Sequence, residues 1–165
     1  MPNNLIARHG ASLSQTLLVT AAALAAVAVA ALALGRASDR IGRRPVVIGS
    51  SAALVLLAMP ATDIATRGSL LGLVLAQVLI GLPVAGVLSV AMLGEAFPAP
   101  VRSTGIALTA GIATALIGGT APWIAQILVR VTGAESAPGV YLAAIGSLAL
   151  VALRRWPETA FGDLD

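Results

Sequence analysis

Five charged side chains fall within one short stretch, Gly35-Arg36-Ala37-Ser38-Asp39-Arg40-Ile41-Gly42-Arg43-Arg44-Pro45. Their chemistry is electrostatic. A carboxylate at Asp39, placed just past a helix end in a turn too tight for a long loop, is expected to reach an arginine or the free amides at a neighbouring helix N-terminus. Gly42 permits the turn. Pro45 then opens the next helix at a position where its missing N–H is not needed, and Arg43 and Arg44 are left to form pairs or to face anionic headgroups.

A second charged turn, Gly94-Glu95-Ala96-Phe97-Pro98-Ala99-Pro100-Val101-Arg102-Ser103-Thr104-Gly105, poses a related problem. A carboxylate at a helix C-terminus opposes the helix dipole by about 0.3–1 kcal/mol, so Glu95 calls for a cation. The expectation is a charge cluster, or latch, in which Asp39, Arg40, Arg43, Arg44, Glu95 and Arg102 close neighbouring helix ends. Gly35 and Gly42 shape its first turn. Covalent chemistry has little material. There is no Cys and one His, His9, which excludes disulfides, Cys-ligated zinc, thiol catalysis and a His cluster. No catalytic residue, metal ligand set or cofactor is expected.

The elements that must carry these turns are apolar. Of 165 residues, 58% are hydrophobic and 10% charged, against about 25% charged in a soluble domain. The mean hydropathy is +0.97. Disorder would need low hydrophobicity, and a bilayer is the natural solvent. A spanning helix takes roughly 20 apolar residues. That ruler gives five spans, 13–35, 46–61, 70–94, 103–129 and 139–153, none holding Asp, Glu, Lys, Arg or His. The first run is too long for a signal-peptide core and is followed by a charged turn.

All ten cations are Arg and lie mostly between spans, which is membrane orientation rather than a nucleic-acid face. Arg36, Arg40, Arg43, Arg44, Arg102, Arg154 and Arg155 fall on one side; Arg8, Arg67 and Arg130 fall on the other. The positive-inside rule puts the C-terminus in the cytoplasm and the N-terminus outside, in a multi-pass protein of the cell membrane.

Several spans carry Gly and Pro internally: Gly81 and Pro83 in the third, Gly118, Gly119 and Pro122 in the fourth. In a bundle, neighbours can satisfy the backbone groups such residues free, so these are candidate bending points. Midspan polar groups are few. Gln77, Thr114 and Gln126 are the candidates for a substrate pocket, while Trp123 and Tyr141 suit an interfacial belt. Asp63 and Glu135 read as solvated residues of outer turns.

The pattern G-x-x-x-D-R-x-G-R-R over Gly35–Arg44 resembles the signature loop of the major facilitator superfamily, which links the second and third helices of each six-helix half. The E-x-F-P-x-x-x-R-S-x-G turn from Glu95, with Gly118-Gly119-Thr120-Ala121-Pro122 and Ala137-Pro138-Gly139-Val140-Tyr141, resembles its metabolite:proton symporter branch, the proline/betaine, dicarboxylate and shikimate-type carriers. The resemblance implies an all-α integral membrane fold, with the five spans as helices 8 to 12 of twelve. Residues 1–12 would be the outer end of helix 7 and its loop, 13–155 the C-terminal half bundle and 156–165 a cytoplasmic tail.

It further implies symport of a small organic acid, amino acid or betaine by alternating access, with the proton as coupling ion. The partners are the bilayer, a small polar metabolite and the carrier's N-terminal half, which this stretch lacks. Coupling residues would lie in that half or in helix 7, since the spans hold no ionisable group. Where the branch often has an aromatic-Asn pair in helix 11, this chain has Ala110-Gly111. A sugar-porter-type carrier fragment and a non-transporting truncated membrane protein or scaffold are the alternatives.

Overall fold

The computed structural model describes residues 13–67, 69–87 and 97–154. Among them every regular element is helical. The helices are α1 (Leu13–Ile41), α2 (Arg43–Thr66), α3 (Leu70–Val87), α4 (Arg102–Ala113), α5 (Ala121–Thr132) and α6 (Pro138–Leu153). A 3-10 turn over Ala99–Val101 leads into α4, and a π turn over Thr114–Gly118 follows it. Four stretches are long and apolar enough to cross a membrane: Ser14–Ile41, Arg43–Thr66, Leu70–Val87 and Ala99–Thr132. At 16 residues α6 is shorter, about 24 Å at 1.5 Å per residue.

The helix ends depart from the hydropathy reading in ways that local chemistry explains. The first helix does not stop at Gly35; α1 runs on through Arg36, Asp39 and Arg40 to Ile41. Asp39 therefore lies in the last helical turn rather than beyond it. Only Gly42 separates α1 from α2. Its φ of 113° is open to glycine and strained for other residues, and its N–H still donates to Ser38 O at 3.1 Å.

Pro45 is the third residue of α2, within the turn whose N–H groups need no helical partner. Pro60 does not end that helix, which continues to Thr66. The fourth span is one helical rod that changes winding part-way, from α4 through the π turn into α5. Of the third span, residues 88–94 lie outside the described residues, as do 1–12 and 156–165.

Packing centres on α2, which lies between α3 and α6, while α1 packs mainly on α3. The buried face of α2 is Val47, Ser50, Ser51, Leu54, Ala58, Ala61 and Thr62, a stripe at helical spacing made largely of small residues. In lipid, apolar side chains gain little by leaving one apolar medium for another, so close backbone approach and interhelical hydrogen bonds hold the bundle. Both are visible. A Cβ on Gly139 would lie 2.9 Å from Ala58 O and 3.0 Å from Met59 Cα; one on Gly146 would lie 2.9 Å from Val55 Cγ2 and 3.1 Å from Ser51 O. A Cβ on Gly86 would run into the Ser50 side chain. The buried Thr62 hydroxyl lies 3.0 Å from Ser136 O and 2.9 Å from Ala58 O and Met59 O, so its one proton is shared between its own helix and the turn before α6.

Candidate functional site

Two places in this bundle gather the polar chemistry. At one end, the C-terminus of α1, the N-terminus of α2 and the C-terminus of α6 meet. Because Gly42 is the whole connection, Asp39 and Arg43 sit four residues apart across the joint. Arg43 Nη1 donates to Asp39 Oδ1 at 2.8 Å and to Ser38 Oγ at 3.3 Å. The Ser38 hydroxyl in turn donates to Gly35 O at 2.8 Å. Asp39's side chain is 62% exposed and Arg43's 18%, which makes this a wet pair worth about 0.2–1 kcal/mol.

Arg44 points elsewhere. Its Nε donates to Leu153 O at 3.3 Å and its Nη2 to Arg154 O at 3.2 Å. These carbonyls end α6, where the helix has no N–H left to offer and where a cation is favoured by the dipole. One residue thus ties the start of α2 to the end of α6. Sequence reasoning placed Arg44 in the charged turn but missed this partner, since nothing local signals a contact 109 positions away.

Arg102 begins α4, and its Nε donates to Phe97 O at 3.2 Å. The Phe97 ring lies over Gly105, where a Cβ would come within 2.6–2.8 Å of it. The E-x-F-P-x-x-x-R-S-x-G turn is thus folded on itself by its Phe, Arg and Gly. Glu95 lies outside the described residues. Arg36 and Arg40 are exposed on the last turns of α1. At the opposite end, Asp63 pairs with Arg67 at 2.6 Å.

The second place is a cleft of about 260 Å³ between α1 and α3, lined by Ala23, Leu24, Val27, Ala76, Gln77, Ile80, Gly81 and Val84. Gln77 is its one hydrogen-bonding side chain. Gly81 brings the two helices close: a Cβ there would lie 2.7 Å from Val27 Cγ2. Pro83 is buried within α3, which continues past it to Val87. Thr114 and Gln126 do not line this cleft; both are exposed on the α4–α5 arm.

That arm is where the fourth span's Gly and Pro residues act. Gly119 N–H donates to Thr114 O at 2.9 Å, five residues back, which is the π spacing. Thr120 Oγ1 donates to Leu116 O at 2.5 Å. Tyr141, on α6, donates its hydroxyl to Ile117 O at 2.9 Å. Trp123 is 66% exposed.

Among the described residues, the site consists of charges paired at helix ends and of apolar walls that carry isolated amides and hydroxyls. The family model described as Major Facilitator Superfamily matches residues 1–161. The chain belongs to the major facilitator superfamily. It is accordingly a multi-pass all-α membrane protein.

Among curated relatives, the ectoine/proline transporter of Corynebacterium glutamicum is 33% identical over 129 residues, covering 77% of this chain and 26% of the relative. The citrate-proton symporter of Klebsiella pneumoniae is 37% identical over 113 residues, 66% of this chain and 25% of the relative. The proline/betaine transporter of Escherichia coli K12 is 32% identical over 130 residues, 77% and 26% respectively. The chain spans about a quarter of the length of these relatives. No solved structure gives a significant match.

Proposed function

We propose that these residues are the last five spans of a secondary carrier that couples proton movement to uptake of a small organic acid, amino acid or betaine. The observation that carries this reading is the likeness to transporters named for proline, betaine, ectoine and citrate over up to 77% of the chain. In the complete carrier the segment works with an N-terminal half, and the proton-binding groups lie there or in helix 7, because the apolar spans read from the sequence hold no Asp, Glu, Lys, Arg or His. Its relatives are transporters, and we assign it no enzymatic chemistry.

Within this reading the joint of Asp39, Arg43 and Arg44 is a latch. Each bond is weak, yet Arg44 on α6 and Arg43 on α1 act together on three helix ends. Glu95, Arg40 and Arg102 belong to the same cytoplasmic end, with the N-terminus outside. Several such contacts made or broken together can bias a balance of a few kcal/mol between inward- and outward-open states. Gln77 supplies a hydrogen bond in the α1–α3 cleft, and Gly81 sets how near those helices come.

The test is uptake of labelled proline, betaine and citrate into vesicles carrying the chain in its full reading frame, with an imposed pH gradient. Uptake of at least one, abolished by a protonophore, is expected. Failure of all three would overturn the reading, and uptake of a hexose in their place would favour the sugar-porter alternative.

A further inference from the structure

The π turn changes which residues share a face of the fourth span. Gly119 (φ −66°, ψ −35°) and Thr120 (φ −84°, ψ −18°) keep a right-handed helical sense, so α4 and α5 form one rod with an extra residue wound in. In an unbroken α-helix, at about 100° per residue, Thr114 and Gln126 would lie about 120° apart, and Ala125 would lie about 20° from Thr114. The inserted residue moves every later position back by one. Gln126 then takes the place of residue 125, in line with Thr114, and Ala125 turns toward α6. On α5, Ile124, Ala125, Leu128 and Val129 are half-buried, while Pro122, Trp123, Gln126 and Ile127 are exposed.

The insertion has specific supports. A Cβ on Gly119 would lie 2.5 Å from Ala115 O, so the turn needs glycine. Pro122 has no N–H to return Gly118 O to the α pattern. Thr120 occupies Leu116 O, and the Tyr141 hydroxyl holds Ile117 O from outside the helix. A π turn is rare, appears mostly as a single turn inside an α-helix and is frequent at functional sites.

We infer that Tyr141 is a positioning residue: by holding Ile117 O it fixes the π register that puts the Thr114 hydroxyl and the Gln126 amide on one substrate-facing stripe. The stripe carries no ionisable side chain, so it reads a substrate through neutral hydrogen bonds. The inference rests on the transport reading above and assigns to α4–α5 a share of the same path.

The 165 residues contain no Cys, which makes thiol labelling a direct measure of register. In the complete carrier, freed of thiols elsewhere, single Thr114→Cys, Gln126→Cys and Ala125→Cys variants are labelled with and without proline, betaine or citrate. The transported compound is expected to slow labelling at 114 and 126 and to leave 125 unchanged. Tyr141→Phe is expected to raise KM about fivefold, the scale of one lost hydrogen bond, with kcat retained, and to weaken protection at 126. Protection at 125 in place of 126, or full activity and unchanged protection in Tyr141→Phe, overturns the inference. Absence of uptake of all three compounds overturns the transport reading and, with it, this one.

Discussion

The seam between α2 and α6 and the α4–α5 arm are built from similar residues and end up in opposite environments. Both are rich in Gly, Ala and Thr. Along the seam, Gly139 and Gly146 lie against backbone atoms of α2, and Ser51 and Thr62 are fully buried. On the arm, Gly111 has nothing within 4 Å and every residue from 107 to 120 is exposed. Small residues permit close approach in lipid without compelling it. What separates the two regions is register: the seam's small residues recur on facing stripes, whereas the arm's are spread round the helix and interrupted by the π turn.

Substitutions can break or sharpen that contrast. Gly139→Leu should do the most damage, since the new side chain must displace α2 backbone; overpacking of this kind costs about 1–3 kcal/mol. Thermal unfolding in detergent should show a clear loss for Gly139→Leu and a change within about 0.5 kcal/mol for Gly111→Leu, as for an ordinary surface site. Equal melting temperatures for the two would erase the distinction between seam and arm.

Thr62→Val should follow, at about 1 kcal/mol for a buried hydroxyl that loses its shared bond to Ser136 O. Thr109→Val, on the exposed face of α4, is its matched control and should be silent in the same melt.

Arg44→Gln tests the seam at its other end. Removing the cation from the α6 carbonyls should lower stability by about 0.3–1 kcal/mol. Faster hydrogen exchange at the end of α6 should accompany it, without a change in α4 or α5. Exchange spread evenly over both regions would count against a local tie.

The smallest stability effect is expected from Asp39→Asn, because the Asp39–Arg43 pair is exposed and worth no more than about 1 kcal/mol. Insertion and melting should be nearly unchanged, while uptake by the complete carrier falls. Normal uptake in Asp39→Asn would reduce the latch to a positive-inside loop.

Much of the candidate site was legible because its contacts are local. The Asp39–Arg43 pair is an i, i+4 contact with Gly42 between, and residue types at that spacing already limit the geometry. Bending at Gly118-Gly119-Thr120-Ala121-Pro122 was readable as a place where a helix loses donors. Its outcome, a π turn that adds a residue, was not, since the same glycines and proline also fit a simple kink. Helix ends were misplaced where charges were taken as boundaries: Arg36, Asp39 and Arg40 continue α1, because arginine is a good helix former and its long stem lets the charge reach the interface from a helical position.

The sequence by itself determined the solvent, the all-helical class and the joint at Gly42, and its motifs carried the resemblance to the superfamily. The first three follow from composition over a window or from spacing within one turn. Only the tertiary structure decided that Arg44 caps α6, that Thr62 reaches Ser136 and that Tyr141 holds Ile117. Those bonds join positions tens of residues apart, and nearly uniform apolar helices carry no local mark of which neighbour they will meet. In lipid, the choice among partners falls to the fit of small side chains and a few hydrogen bonds, and both exist only once the helices are packed.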